Sequence, residues 1–409
     1  MKTLSLLLTV GVAGTFADPP QPKFRSENIG RVEIGYGVAI SDVDGDKRPD
    51  ILLADKKQFV WFQNPGQAPA GAQTFAPVVW KRHVMAENLT EKDNVCIAAT
   101  DLDGDGKCEV AVGAEWNPAD TEKSGAVFYL VAPEDRTQKW EPVKFPSVEP
   151  TTHRMRWLRL GGKEAGLVVV PLHGRGNKNA QGAGVKTLLY RKPADVRGEW
   201  KSEVLDETLH ASHNLELAHP ASGSPAVAPN LALGGREGAV HLQFTEGKWN
   251  RTPRITAEHG CLGIGEIRGG RLQNGREFVA TVEPMHGNTL AVYLLDAEAK
   301  EKPSRKVLTD QLNEGHALAT GDLLGTKGAQ IVVGFRGNPG KPQPIGLRLW
   351  TPVDEKGEAW KESVIDDTGM ACEDVALADL DADGDLDIIA AGRATKNLVI
   401  YWNDTVRGG

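Results

Sequence analysis

The sequence predicts an all-β fold, a seven-bladed β-propeller of four-stranded blades, because two strand patterns each recur seven times. A segment typical of an outer strand, usually led by Trp, recurs at Phe24, Trp80, Trp140, Trp200, Trp249, Ser304 and Trp360. An apolar, partly aromatic run typical of a third strand recurs at Phe59–Phe62, Ala126–Leu130, Lys186–Tyr190, Val240–Phe244, Leu290–Leu294, Leu347–Trp350 and Leu398–Trp402. Pairs of short apolar runs around a turn supply the first two strands. This arithmetic favours a propeller over a β-helix or a sandwich array.

The two ends of the chain predict how the ring closes. The last unit stops after its third strand, at Tyr401 and Trp402. The missing fourth strand of that blade is available at the other end of the chain, at Phe24–Ile29. We expect this N-terminal strand to complete the last blade and so remove the open sheet edge.

Composition excludes several classes of protein. The chain has 409 residues, a net charge of −8 and no run of Lys or Arg, so we expect no nucleic-acid partner. Four cysteines are too few for a disulfide framework; we expect Cys96, Cys261 and Cys372 to be buried in the core. The 46 glycines and 24 prolines are typical of a fold with many turns.

The first residues have the pattern of an export signal. Lys2 precedes an apolar run over Leu4–Val12, and the small residues Thr15 and Ala17 are spaced like a cleavage site. We therefore predict a signal peptide over residues 1–17, a single propeller domain over residues 18–409, and a secreted or periplasmic protein. An N-terminal membrane anchor is the alternative interpretation. No later stretch approaches about 18 apolar residues, so we expect no membrane span.

Three turns between first and second strands carry carboxylates at positions 1, 3, 5 and 9. Such a set can surround one hard cation, so we predict structural Ca²⁺ or Mg²⁺ sites. The predicted ligands are Asp42, Asp44, Asp46 and Asp50; Asp101, Asp103, Asp105 and Glu109; and Asp379, Asp381, Asp383 and Asp387. An EF-hand does not fit, because strands flank these turns. The turn at Asp322 lacks the later carboxylates, and we expect no ion there. The alternative is acidic turns without metal. These loops resemble those of the FG-GAP/VCBS repeat family.

Histidines concentrate at one end of the predicted channel. In each blade the start of the first strand and the end of the second strand meet at the same mouth, opposite the acidic turns. Seven of the ten histidines fall at such positions, whereas His83, His219 and His241 do not. Carboxylates, arginines and Tyr36 share this mouth. Convergence of so many titratable groups favours a functional site.

The chemistry of this mouth suits a metal-assisted reaction. Neutral imidazole is a good ligand for zinc, and three ligands with one open position make a Lewis acid. The remaining histidines can carry protons. The sequence has no G-x-S-x-G elbow, no P-loop, no C-x-x-C pair and no dinucleotide fingerprint.

Several mouth segments resemble the propeller domain of the aldos-2-ulose dehydratase/isomerase (1,5-anhydro-D-fructose dehydratase) family. These segments are His153–Trp157, Val170–Gly174, His210–Asn214, Glu283–Gly287, Glu314–Ala317, Glu373–Asp374 and Ala391–Asn397. The resemblance implies a catalytic zinc that acts as a Lewis acid while water is eliminated from a keto-sugar. No counterpart of that family's cupin and lectin portions is present, so we do not expect a second, isomerising step.

The resemblance and the repeat positions together give a set of expected roles. We expect His153, His213 and His286 to bind zinc. We expect His173, His259 and His316 to act as acid or base, with Tyr36 as another proton carrier. We expect Glu373, Arg336, Arg393 and Arg154 to bind the substrate.

The predicted function is β-elimination on a small carbohydrate, a keto-sugar such as 1,5-anhydro-D-fructose or a 3-keto-glycoside. One alternative is a polysaccharide lyase whose Arg336 and Arg393 neutralise a uronic acid. Another is a non-catalytic, calcium-braced propeller that binds a glycan or a protein. The sequence does not predict an oligomeric state.

Overall fold

Seven four-stranded antiparallel sheets make up the computed structural model, which describes residues 18–66, 79–162, 164–217, 230–296, 302–338 and 344–406. The first strands of the seven sheets contact one another in sequence and close a ring around a central channel. This confirms the predicted seven-bladed propeller. The predicted signal peptide, residues 1–17, and His219 lie outside the described residues.

The first three blades follow a short N-terminal strand, β1 (Phe24–Arg31). Blade 1 contains β2 (Gly37–Ser41), β3 (Asp50–Ala54), β4 (Gln58–Gln63) and β5 (Lys81–Glu87). Blade 2 contains β6 (Cys96–Thr100), β7 (Glu109–Ala114), β8 (Ala126–Val131) and β9 (Glu141–Lys144). Blade 3 contains β10 (Thr152–Gly161), β11 (Glu164–Pro171), β12 (Thr187–Arg191) and β13 (Ser202–Asp206).

The remaining blades repeat the same order of strands. Blade 4 contains β14 (Ser212–Leu217), β15 (Asn230–Gly235), β16 (Gly238–Thr245) and β17 (Lys248–Ile255). Blade 5 contains β18 (Glu266–Arg271), β19 (Glu277–Glu283), β20 (Thr289–Leu294) and β21 (Ser304–Thr309). Blade 6 contains β22 (Gly315–Gly321), β23 (Gln330–Phe335), β24 (Gly346–Pro352) and β25 (Trp360–Asp366). Blade 7 contains β26 (Cys372–Ala378), β27 (Asp387–Gly392) and β28 (Asn397–Asn403).

Blade 7 is closed by the N-terminal strand, as predicted. β1 pairs antiparallel with β28 from Phe24 opposite Asn403 to Arg31 opposite Asn397. This pairing leaves blade 7 with four strands like the others and joins the two ends of the chain. Within the described ranges, the only helical element is a short 3-10 turn, Ala257–His259, and no helix is long and apolar enough to cross a membrane.

The hydrophobic core is divided among the blade interfaces. Each of seven clusters of buried apolar side chains lies between two neighbouring blades. Trp61, for example, is fully buried between blades 1 and 2, where it packs with side chains of both sheets. All four cysteines are buried and unpaired, in agreement with the expected core role. Because the apolar surface is buried between blades, the channel is free to carry polar side chains.

Strand direction places the two kinds of candidate site at opposite ends of the channel. In blade 1, Gly37 at the start of β2 pairs with Ala54 at the end of β3, and these residues lie at the mouth. At the other end of the same pair, Ser41 is opposite Asp50, next to the acidic turn. Every blade repeats this antiparallel pairing of its first two strands.

Candidate metal and substrate site at the channel mouth

Four first strands carry a β-bulge at their second residue. The pairing registers of β10, β14, β22 and β26 each skip this residue. The skipped residues are His153, His213, His316 and Glu373. A bulge redirects a side chain that would otherwise follow the strict alternation of a strand. The bulges therefore supply four of the polar side chains at the mouth of the channel.

Three histidines converge at the mouth. His213 comes from blade 4, His286 from the loop that follows β19 in blade 5, and His316 from blade 6. One ring nitrogen from each lies within 4.8 Å of the others. The ring centroids are 4.6 Å apart for His213 and His286 and 4.8 Å apart for His286 and His316. His286 adopts a left-handed backbone conformation, with φ of +55°, which is uncommon for a residue other than glycine. We call these three side chains the histidine triad.

Hydrogen bonds to the backbone orient two of the imidazoles. The Nδ1 of His213 lies 3.0 Å from the carbonyl oxygen of Gly265, and the Nδ1 of His316 lies 2.6 Å from that of Glu373. Since a carbonyl only accepts, each Nδ1 must carry the proton and donate it. The Nε2 lone pair of each ring then remains available to a ligand. The Nε2 atoms of His213 and His286 lie 2.7 Å apart.

Burial keeps two imidazoles of the triad, those of His286 and His316, neutral. Desolvation holds the pKa of His316 well below its usual value, and the Arg336 charge acts in the same direction. Burial lowers the pKa of His286 to about 2, and the proximity of His213 and of the Arg336 charge acts in the same direction. Neutral imidazole is the form that binds metal. Two ligands of a tetrahedral zinc lie about 3.3 Å apart, so a small outward shift of His213 and His286 would let the triad hold zinc. The donor set therefore fits such an ion.

His153 lies behind the triad rather than in it. Its ring centroid is 4.6 Å from that of His213, its Nδ1 is 2.9 Å from the His213 carbonyl oxygen, and Trp116 stacks on it at 4.9 Å. The expected zinc set included His153, but the structure brings His316 together with the other two. The reason is blade order: blades 4, 5 and 6 are consecutive, whereas His213 separates His153 from His286.

Glu373 and two arginines form the wall beside the triad. Arg336 and Arg393 each donate to one carboxylate oxygen of Glu373, at 2.9 Å in both cases. Arg336 also lies 3.4 Å from Glu314, and Glu373 is 3.9 Å from the Nε2 of His316. The Glu373 carboxylate is almost fully buried, so these ion pairs fix both guanidinium groups next to the histidines.

Two more expected site residues also lie at this mouth. The Arg393 guanidinium sits 5.5 Å from the ring centroid of Tyr36, and burial raises the pKa of that phenol to about 12. Tyr36 is therefore protonated at neutral pH. Arg154 is 5% exposed and donates from Nη1 to the His153 carbonyl, 3.2 Å away. Its buried Nη2 has no hydrogen-bond partner among the described residues.

Two expected acid–base residues, His173 and His259, are not joined to the triad. The backbone N–H of His173 donates to the Thr151 hydroxyl at 2.9 Å, and the Nδ1 of its ring is buried with no hydrogen-bond partner among the described residues. The Nδ1 of His259 accepts from the Thr256 backbone at 3.0 Å at the 3-10 turn. Within the described part of the chain, no hydrogen bond or ring contact joins either imidazole to the triad. The structure thus groups His316 with the metal-binding candidates and leaves His173 and His259 apart.

A cavity opens beside the arginines. Its volume is about 390 Å³, within the range of small-molecule sites. It is lined by Glu314, Arg336, Gly337, Asn338, Arg393 and Ala394. We call it the mouth cavity. A polar ligand in it would lie against the two guanidinium groups that flank Glu373.

The opposite end of the channel carries the acidic loops. Three groups of carboxylates have oxygens within 4.8 Å of one another: Asp42, Asp44 and Asp50; Asp101, Asp103 and Glu109; and Asp379, Asp381 and Asp383. The Oδ1 of Asp379 is buried and has no hydrogen-bond partner among the described residues, which suits a cation ligand. Of the expected ligands, Asp46, Asp105 and Asp387 lie outside these groups.

The ninth position of each loop has a structural task. Asp387 accepts hydrogen bonds from the N–H groups of Leu380 and Asn403, and burial raises its pKa to about 7. In blade 6 the same position is Gln330, whose amide oxygen accepts from the N–H of Leu323 at 2.7 Å. A neutral amide replaces the carboxylate there, so this position serves the turn with or without charge.

Two family models match parts of this chain. Residues 42–112, which include two acidic loops, match the family described as FG-GAP-like repeat. Residues 124–296, which include His153, His213 and His286, match the family described as aldos-2-ulose dehydratase, beta-propeller domain. The chain is a seven-bladed β-propeller that resembles the FG-GAP repeat and the dehydratase propeller domain over these residues.

A solved structure resembles this propeller at the level of the fold. BBS1N, solved by crystallography in complex with ARL6DN, is 12% identical, with a TM-score of 0.53; the match covers 93% of this chain and 96% of that chain. At this identity the likeness shows the fold alone. A search of curated proteins found no match.

The propeller also places a site residue that sequence reasoning missed. Glu266 begins β18 in blade 5, is 1% exposed, and has an oxygen 3.1 Å from the Nδ1 of His213. Burial alone would raise its pKa, but His213 and the Arg268 charge lower it, so the carboxylate stays ionised. A carboxylate behind an imidazole strengthens the ligand. The sequence does place Glu266 at the start of a first strand, where the other residues of the mouth also lie.

Proposed function

We propose that the chain is a metal-dependent carbohydrate lyase or dehydratase that catalyses β-elimination on a keto-sugar. One observation carries the proposal: three imidazoles from consecutive blades converge within 4.8 Å at a mouth lined by arginines and carboxylates. The match of residues 124–296 to a dehydratase propeller domain supports it. A keto-sugar such as 1,5-anhydro-D-fructose or a 3-keto-glycoside has the carbonyl and hydroxyl groups that this mouth can bind.

The triad is the proposed zinc site. His213, His286 and His316 would be its protein ligands, in place of the His153 set expected from the sequence. Zinc with an open position would polarise the substrate carbonyl as a Lewis acid, which makes the neighbouring C–H acidic. The Gly265 carbonyl holds the imidazole of His213, with the Glu266 carboxylate 3.1 Å from the same nitrogen, and the backbone of Glu373 holds the imidazole of His316.

His153 is the proposed general base. Its Nδ1–H is donated to the His213 carbonyl, so Nε2 keeps a free lone pair. Burial, followed by the Arg154 charge, keeps its pKa well below the usual value, so the ring is neutral at physiological pH. It would remove the proton from the carbon next to the carbonyl.

Tyr36 is the proposed proton donor. The phenol is protonated at neutral pH because burial raises its pKa, and Arg393 lies over its ring. A proton delivered to the departing oxygen makes it a better leaving group. Arg336, Arg393 and the buried Nη2 of Arg154 would hydrogen-bond the hydroxyl groups of the sugar.

The alternative of a uronic-acid lyase receives less support from the geometry. It needs Arg336 and Arg393 to neutralise a substrate carboxylate. Both guanidinium groups already pair with the buried carboxylate of Glu373 at 2.9 Å.

The acidic loops, at the far end of the channel, are proposed structural calcium or magnesium sites. Export remains a prediction from residues 1–17.

An elimination assay tests the proposed function. Zinc-loaded protein is incubated with 1,5-anhydro-D-fructose and with methyl 3-keto-β-D-glucopyranoside, and the conjugated enone product is followed by its ultraviolet absorbance. We expect formation of enone that stops after treatment with a transition-metal chelator and returns with zinc. Absence of enone from both substrates, with folded and zinc-loaded protein, would overturn the proposal.

A further inference from the structure

A second cavity lies beside the mouth cavity. Its volume is about 560 Å³, and it is lined by Asn28, Arg31, Gly369, Ala394, Thr395, Lys396 and Asn397. Ala394 lines both cavities. We call the second cavity the blade-7 groove. Because the two cavities share a wall residue, one ligand can extend from the mouth into the groove.

The groove belongs to the same end of the propeller as the histidine triad. It is built from the turn between β27 and β28, the end of β1 and the loop before β26. Arg31 pairs with Asn397 in the sheet, and the N–H of Val32 donates to the Lys396 carbonyl at 3.2 Å. The Asn397 amide donates to the Gly369 carbonyl at 2.9 Å. The closing pair of strands thus fixes the walls of the groove.

A continuous series of polar contacts connects the triad to the groove. Glu373 lies 3.9 Å from the Nε2 of His316 and accepts from Arg393 at 2.9 Å. Arg393 precedes Ala394, the residue common to the two cavities. A ligand that reaches from the triad across Arg393 therefore arrives directly at Thr395 and Lys396.

The lining of the groove suits a sugar. Its side chains are amides, a hydroxyl and two cations, all able to hydrogen-bond hydroxyl groups. Arg31 and Lys396 are exposed and form no ion pair with any residue that the structure describes. By contrast, Arg336 and Arg393 in the mouth cavity are held by Glu373. The groove therefore has hydrogen-bond donors without an ion-pair partner, whereas the guanidinium groups of the neighbouring mouth cavity are already paired with Glu373.

We propose that the blade-7 groove binds the leaving group, and that this group is a sugar. This inference rests on the proposed function and deepens it, because it assigns the substrate to keto-disaccharides or longer keto-glycosides. The reaction then expels a sugar alkoxide instead of water. The ketone-bearing ring lies at the triad, and the second sugar lies over Ala394 against Lys396 and Arg31.

The elimination balances without any further reactant. The base takes the proton from the carbon next to the carbonyl, and the electron pair of that C–H bond forms the new C=C bond. The β C–O bond breaks, and its electron pair goes to the glycosidic oxygen. That oxygen takes a proton from the donor at the mouth. The products are an unsaturated keto-sugar and a free sugar, and nothing is oxidised or reduced.

A matched pair of substrates isolates the groove. Methyl 3-keto-β-D-glucopyranoside and 3-keto-cellobiose carry the same ketone-bearing ring and differ only in the leaving group. kcat/KM is measured for both with wild type, with the double variant Arg31→Ala/Lys396→Ala, and with Lys248→Ala as control. Lys248 is an exposed lysine on the outer strand of blade 4.

We expect the double variant to lower the ratio of kcat/KM for 3-keto-cellobiose over the methyl glycoside at least tenfold. We expect Lys248→Ala to leave that ratio unchanged. A comparison of ratios cancels the intrinsic difference between the two leaving groups. An unchanged ratio in the double variant would overturn the inference, as would reaction of the methyl glycoside but not of 3-keto-cellobiose; the proposed function would survive both.

Calorimetric titration with cellobiose separates the two proposals if neither ketone reacts. Loss of reaction with both 3-keto-glycosides and with 1,5-anhydro-D-fructose overturns the proposed function and, with it, the leaving-group assignment. Binding of cellobiose to wild type that is weakened in the double variant would still support the groove as a sugar site. Equal binding to both proteins, or none, would overturn the groove as well.

Discussion

Blades 3 to 6 and blades 7, 1 and 2 share one architecture but differ in where their polar residues lie. Blades 3, 4, 5 and 6 each contribute a histidine at the mouth: His153, His213, His286 and His316. Blades 7, 1 and 2 each carry an acidic loop at the opposite end. The two sets are consecutive around the ring, so the propeller has a histidine half and an acidic half.

The difference teaches how one repeat can hold two kinds of metal-binding chemistry. The acidic loops use oxygens of one local turn, so a single blade supplies a whole group. The histidine triad uses one nitrogen from each of three blades, so it exists only when the ring is assembled. We therefore expect the acidic half to govern stability and the histidine half to govern activity.

The largest expected effect is loss of the triad. His316→Gln removes one of three imidazoles, and we expect elimination activity to fall about a thousandfold or more because the remaining pair does not hold the ion. His259→Gln, which alters a histidine away from the triad, is the matched control and should stay within about twofold. Steady-state rates of enone formation measure both. Full activity in His316→Gln would show that the triad is not the site.

A second, separable effect is expected at His153. His153→Gln should lower kcat about a hundredfold, the usual contribution of a general base, while the bound transition metal stays at the wild-type level. Rates and metal content are measured on the same preparation. Loss of metal together with activity would make His153 a ligand, as the sequence first indicated, and would break the assignment of the base.

Calcium bound by the loops of the acidic half should raise the free energy of unfolding and leave the elimination activity unchanged. For wild type, calcium at a hundred times its Kd should add roughly 2.7 kcal/mol per site to the free energy of unfolding. Asp379→Asn should lose one such increment, since the buried Oδ1 of Asp379 has no hydrogen-bond partner among the described residues. Asp322→Asn, in the corresponding turn of blade 6, is the matched control. Equal calcium dependence in both variants would refute a site in blade 7.

The smallest expected effect is a pH dependence of stability. Burial lowers the pKa of His153 and His316 in the folded protein. The unfolded chain, in which the pKa of histidine is near 6.5, therefore binds protons more readily. The free energy of unfolding is at its full value above this pKa and falls as the pH drops below it. In zinc-free protein, each of the two histidines lowers the free energy of unfolding by about 1.4 kcal/mol at pH 5.5 relative to pH 7.5. Denaturant unfolding at pH 7.5 and 5.5 measures it. His153→Gln should show a shallower dependence; an unchanged slope would contradict the burial argument.

Repeat patterns predict the fold because each blade carries the same signals. The Trp-led segments and the third strands gave the number of blades, and Phe24–Ile29 gave the closing strand, which the structure extends to Arg31. Local carboxylate spacing likewise predicted the acidic loops, down to the groups at Asp42, Asp101 and Asp379.

Distances across the channel are not encoded in any local pattern. The position of His316 in the repeat predicts that it lies at the mouth. It does not predict whether His316 or His153 lies closer to His286. The pairing of Glu373 with both Arg336 and Arg393 also depends on the closed ring. Glu266 was missed because its position at the start of a first strand does not show that it lies beside His213.

Metal content tests the division into two halves most directly. Wild type and His316→Gln are purified without chelator and without nickel affinity steps, then measured by elemental mass spectrometry. We predict about one transition-metal ion per wild-type chain, none in His316→Gln, and the same calcium content in both. Calcium alone in wild type, or an equal transition-metal content in the two proteins, would contradict a metal site at the histidine triad.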